Sequence, residues 1–250
     1  LFRSVFAAVY VVLYPAILPG GPTKGLLGWS QYKVLADDQA AATAAQKGMR
    51  DKITSAELGA ISEDADMLNF AMAGGRAAFG DNCAPCHGSG AQGFTGYPNL
   101  NDDEWLWGGK LEDITTTIRY GIRTTHEDSR SSEMPAFGVD EMLDAKQIDD
   151  VAEYVLVVSG QEGDAGAAER GKPLFTEHCV ACHGDKGQGL AEFGAPALNN
   201  GIWLYGGDKE TLVETISNSR SGVMPAWGKI LDPVVVKQLA IYIHSLGGGQ

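Results

Sequence analysis

The chain has 250 residues, 44% of them apolar, and carries 32 acidic against 19 basic side chains for a formal charge of −13. That length suits one large or two small globular domains. The acidity excludes nucleic acid and anionic membrane surfaces as partners, and favours a basic protein met through electrostatic steering.

In chain order, the first feature is an apolar run over 5–18, preceded by Arg3 and broken by Pro15. It is short of the roughly 20 residues a spanning helix needs. The sequence opens without Met and in mid-pattern, however, so residues 1–19 read as a transmembrane anchor truncated at its start, which leaves the number of spans open. A signal peptide would require a small-residue cleavage site; Pro19-Gly20-Gly21-Pro22 is a poor one and a good helix stop. Tyr10, Tyr14 and Trp29 suit an interfacial aromatic belt, and Arg3 fits the positive-inside rule. Residues 20–61 read as a connecting helical arm, Ala-rich with a thin apolar stripe, lying on a partner. Met49, Met67 and Met72 read as packing residues.

Next comes Cys83-Ala84-Pro85-Cys86-His87-Gly88, which returns as Cys179-Val180-Ala181-Cys182-His183-Gly184 and uses all four cysteines. Cys-x-x-Cys-His is the attachment site of c-type haem. Two thiols at this spacing add across the porphyrin vinyl groups as thioethers, and the next residue is carried under the ring to ligate iron. A zinc site would place its pairs about 15–20 residues apart, and these lie about a hundred apart. No strand alternation precedes either copy, against a thioredoxin-like motif. Covalent attachment of haem is done outside the bacterial cytoplasm, which points to the periplasmic side.

The repeat divides the remainder into a first domain over 62–160 and a second over 161–250. In each, a helix runs into the haem motif and an amphipathic helix closes the unit: Ile148, Val151, Ala152, Val155 and Val158 in one, Leu239, Ala240, Ile243 and Leu246 in the other. Asp232-Pro233 reads as an N-cap with proline at N1, and Gly247 as a stop. Between these helices Pro98-Asn99-Leu100 matches Pro196-Ala197-Leu198, Trp105 matches Trp203, and Met134-Pro135 matches Met224-Pro225. A repeated methionine downstream of the histidine supplies a soft, neutral sixth ligand that favours ferrous iron and raises the potential. The metal ligands are therefore His87, Met134, His183 and Met224, and each lobe is expected to close on its own haem, Met134 opposite His87 and Met224 opposite His183. His126, His178 and His244 match nothing across the repeat and read as surface or packing residues. Three scattered spare histidines cannot build an oxygen-reducing haem-copper centre.

Phe-x-x-x-Cys-x-x-Cys-His-Gly, then Pro-x-Leu, then Met-Pro resembles class I cytochrome c, an all-α fold around one haem. The stretch 82–109, with Leu13-Tyr14-Pro15 and Lys24-Gly25-Leu26-Leu27-Gly28-Trp29, resembles the membrane-anchored dihaem subunit III of cbb3-type cytochrome c oxidases over nearly the whole chain. The resemblance implies two tandem cytochrome c domains behind an anchor and an arm, with two covalently bound haem c groups held by Cys83, Cys86, Cys179 and Cys182. It implies haem contacts from Pro98, Leu100, Trp105, Pro196, Leu198 and Trp203, with the Pro98 and Pro196 carbonyls taking the histidine Nδ1–H groups. It also implies electron transfer from a cytochrome c or quinol-oxidising complex to the other subunits of the oxidase, at the bacterial inner membrane. The rival functions are a free membrane-tethered dihaem carrier, which would not need the arm, and a dihaem peroxidase, which would need one haem able to lose its distal ligand.

Overall fold

A computed structural model describes residues 2–14 and 25–247. The chain forms two compact units, 1–52 and 53–250. In the first, α1 (Phe2–Leu13) is apolar and exposed, and the turn after it folds back, Leu26 N–H donating to Val12 O at 3.0 Å. Tyr10 and Tyr14 stack at 4.8 Å, and Trp29 meets Tyr14 edge-on at 6.1 Å. The outer part of the expected anchor, with Pro15 and the Pro19-Gly20-Gly21-Pro22 stop, lies outside the described residues. No helix among the described residues is long and apolar enough to cross a membrane. The expected arm is α2 (Gln31–Ser55), a polar helix laced by Lys33–Asp37 and Lys47–Asp51 pairs at i,i+4.

The second unit opens earlier than the expected boundary at 62, because Ile53 and Ile61 are fully buried. Its helices are α3 (Leu58–Glu63), α4 (Ala65–Asn82), α5 (Ala84–His87), α6 (Leu111–Tyr120), α7 (Ala145–Val158), α8 (Ala165–His178), α9 (Val180–His183), α10 (Lys209–Asn218) and α11 (Pro233–His244). Aspartates start five of them: the Asp64, Asp144, Asp164, Asp208 and Asp232 carboxylates accept from backbone N–H groups of the first turn. Lys237 of α11 reaches the carbonyls of Ile53, Thr54 and Ala56 and so ties the end of α2 to this unit.

The closing helices are exchanged between the repeats. α11 packs on α4 and α6, whereas α7 packs on α8 and α10. One core holds Phe79, Ile114 and Ile118 with Val236, Leu239 and Ile243; the other holds Ile148, Val151 and Val155 with Phe175, Leu212 and Ile216. The packing therefore crosses the expected division at 160/161. Residues 134–220 form one lobe, with its closing helix first in sequence, inserted into another lobe made of 53–130 and 224–247.

Side chains at the two helix crossings account for this choice. At both, a glycine lets backbones touch: a Cβ on Gly75 would run into the Gln238 carbonyl, and one on Gly171 into that of Asp150. One residue earlier the repeats differ. Gly74 leaves room for the Gln238 side chain, while Arg170 forks onto Asp150 at 2.6 and 3.0 Å. Pairing each repeat with itself would set Asp150 against Gly74 and Arg170 against Gln238, stranding a charge that is buried here. The short connector between α7 and α8 also favours neighbours in sequence packing as neighbours in space.

The Arg170 fork, opposed by burial and aided by Lys146, holds the Asp150 carboxyl below its ordinary range. A depressed folded value stabilises above the unfolded value and loses that stabilisation as pH falls through the folded one. Asp150→Asn should therefore destabilise the protein at neutral pH, with the gap to the parent protein closing in acid; thermal unfolding against pH reads it.

Candidate functional site

Both Cys-x-x-Cys-His motifs sit on the same backbone. α4 ends at Cys83, whose N–H reaches Phe79 O, and α5 carries His87, whose N–H reaches Cys83 O at 2.9 Å; Cys179 and His183 repeat both bonds. Gly88 and Gly184 then turn the chain at φ 81° and 75°. The first thiol of each pair is half-buried and the second follows one helical turn on. Burial, with a smaller push from the neighbouring thiol, raises Cys83 and Cys179 to about 11. At neutral pH they are therefore neutral thiols.

Each histidine ring is held from behind. The Nδ1–H of His87 donates to Pro98 O at 2.9 Å, and that of His183 to Pro196 O at 2.9 Å. Proline is suited because its φ is fixed. Burial lowers both histidine pKa values, against the carbonyl bond, which raises them. The ring stays neutral, Nδ1 keeps the proton, and the Nε2 lone pair is left for a metal. Leu100 and Trp105 pack on the core that contains Cys83, and Leu198 and Trp203 on the one that contains Cys179. Gly109 and Gly207 lie against the Trp105 and Trp203 rings, where a Cβ would collide.

The methionines follow the exchanged helices. Met224 packs on the core of Phe79, Cys83, Leu100 and Trp105, and Met134 on that of Phe175, Cys179, Leu198 and Trp203. Where each lobe was expected to close on its own methionine, each methionine packs on the core of the other repeat's cysteine pair. Each Met-Pro block is pinned to the other repeat: Met224 exchanges backbone bonds with Ile122 at 2.9 and 3.1 Å, Gly228 N–H reaches Arg119 O, and Gly138 N–H reaches Ser217 O. Ser219 Oγ donates to Met134 O at 2.7 Å.

Two residues escaped the sequence reading. Arg130 lies over the Trp107 ring, donates to the Trp107 carbonyl and pairs with Asp113 at 3.0 Å; Arg220 lies over Tyr205 and bonds Thr211 O at 3.0 Å. Both stand four residues before the methionine, so the repeated Arg-Ser-x-x-Met was the available signal. Each arginine stays with its own repeat and the methionine does not, which places the crossover at 131–133 and 221–223. His126 packs at a tilt against Tyr120, and His178 edge-on against Phe137.

These residues fit haem. Each lobe brings together two thiols, one oriented imidazole and one thioether. The buried Nε1–H groups of Trp105 and Trp107 have no partner, which suits a group bearing carboxylates at its edge. A cavity of about 520 Å³ runs between the lobes, lined by Tyr97 and Pro98 on one side and Pro196, Trp203 and Tyr205 on the other. Haem held by such ligands supplies reversible one-electron transfer at a raised potential.

The model of the family described as cytochrome c oxidase, cbb3-type, subunit III matches residues 70–155 and 166–243. The cbb3-type cytochrome c oxidase subunit CcoP of Azospirillum brasilense is 51% identical over 253 residues, 98% of this chain and 86% of its own. The CcoP subunit of Cereibacter sphaeroides is 47% identical, and the FixP subunit of Bradyrhizobium diazoefficiens 46%, each over 248 residues with the same two coverages.

Proposed function

From the premise that the chain belongs to the subunit III family of cbb3-type cytochrome c oxidases, we propose that it is the electron-transfer subunit that relays electrons through two covalently bound c haems toward the other subunits of such an oxidase. The observation that carries this reading is the duplicated site, each copy with a cysteine pair, a histidine backed by a proline carbonyl and a methionine packed into the same core. Cys83, Cys86 and His87 hold one haem with Met224; Cys179, Cys182 and His183 hold the other with Met134. A neutral imidazole and a neutral thioether leave the iron charge uncompensated in the ferric state, and so favour the ferrous one.

The donor is a basic cytochrome c or the quinol-oxidising complex, met by an acidic chain. Anchoring is through the apolar segment 5–18 in the bacterial inner membrane, with the haem lobes on the periplasmic side. Purification of the full-length protein from membranes in mild detergent tests the reading. Two haems per chain should survive acid-acetone extraction, and a haem-copper subunit should accompany the protein. Haem that leaves with the solvent, or a zinc ion in its place, would refute it.

A further inference from the structure

The second lobe's histidine is held from the first lobe. Trp107, 8% exposed, presses its ring edge against Gly194, where a Cβ would overlap Cε2 and Cζ2. Gly194 adopts φ 60°, in the tight loop where Leu190 and Ala195 exchange backbone bonds at 3.2 and 3.3 Å. On the far side of Pro196, the Glu104 carboxylate accepts from the Asn200 side chain and lines the same cavity wall as Pro196 and Ala197. Gly194 and Asn200 are thus held by two side chains of the other lobe, and between them lies the carbonyl that takes His183 Nδ1–H at 2.9 Å.

The reverse arrangement is weaker. Tyr205 lies less close to Gly96, where a Cβ would stand 3.3 Å from its ring, and Gly96 N–H donates to Leu204 O at 2.8 Å. The position matching Glu104 is Ile202, which has no carboxylate to offer.

Resting on the function proposed above, we infer that Glu104 and Trp107 are positioning residues for the haem site of the neighbouring lobe: they clamp Pro196 and thereby set the hydrogen bond that orients His183. A firm Nδ1–H···O=C bond makes the imidazole a stronger donor and stabilises ferric iron. Loosening it raises that haem's potential.

The test is a redox titration of the two-haem protein, with each midpoint assigned by NMR contacts of the haem to Trp105 or Trp203. Glu104→Ala should raise the midpoint of the haem beside Trp203, speed solvent exchange of His183 Nδ1–H, and leave the haem beside Trp105 at its parent value; Trp107→Ala should likewise raise the midpoint of the haem beside Trp203 and speed that exchange. Trp107→Phe, which keeps a flat ring on Gly194, should restore most of the parent behaviour. A shift confined to the haem beside Trp105, an equal shift of both, or no shift in Glu104→Ala would overturn the inference. Two retained haems in every variant separate that outcome from failure of the proposed function, which would show as haem loss in the parent protein.

Discussion

Met224→Leu should strip the sulfur-to-iron absorption from the haem bound to Cys83 and Cys86, although 138 residues separate Met224 from Cys86 in the chain. Met224 packs on the core that contains Cys83, and its backbone is bonded to Ile122 beside α6. Leucine conserves volume, so the lobe keeps its packing while the iron loses its soft ligand. That haem's midpoint should fall, because the thioether's preference for ferrous iron is gone, and the haem of His183 should keep both ligands. Met134→Leu should give the mirror result. Spectra and redox titration of the two variants read both effects.

The largest effect on stability is expected at the helix crossings. Gly171→Val puts a branched side chain into the Asp150 carbonyl, and Gly75→Val does the same at Gln238. Neither neighbour is the free end of a flexible side chain. Overpacking a fitted core costs about 1–3 kcal/mol, and a backbone obstacle places these variants at or beyond the upper end. Gly48→Ala is the control: nothing lies within 4 Å of a Cβ there, and alanine should strengthen α2 by up to about 1 kcal/mol. Thermal unfolding of the three variants should show two large losses and one small gain.

The sequence carried the chemistry of the sites further than their assembly. Cys-x-x-Cys-His needs one helical turn and nothing else, so both motifs could be read as they stand. The prolines behind His87 and His183 were legible because the resemblance to class I cytochromes c covers that block, and each contact is present at 2.9 Å. Asp232-Pro233 caps α11 as its residues require. The pairing of methionines with histidines was not legible from the blocks, since both repeats carry every block and local pattern is indifferent to which copy closes on which. What distinguishes the arrangements is a non-local pair of differences, Arg170 against Gly74 and Asp150 against Gln238, whose meaning emerges only when the helices are laid across each other. The hold of Glu104 and Trp107 on the other lobe was hidden for the same reason: the contact crosses between lobes, and the carboxylate has only Ile202 as its counterpart in the repeat. The boundary near 53 was missed because Ile53 and Ile61 are isolated apolar residues in a polar stretch, too sparse to signal a buried face.

The exchange of ligands is tested most directly by NMR of the reduced two-haem protein labelled at methionine methyl groups. An iron-bound methionine lies over the porphyrin face, so its methyl shows contacts to the haem it ligates, and each haem is identified by contacts to the cysteines that bind it. The Met224 methyl should touch the haem joined to Cys83 and Cys86, and the Met134 methyl the haem joined to Cys179 and Cys182. Contacts from Met134 to the haem of Cys83 would contradict the account and return each lobe to its own methionine.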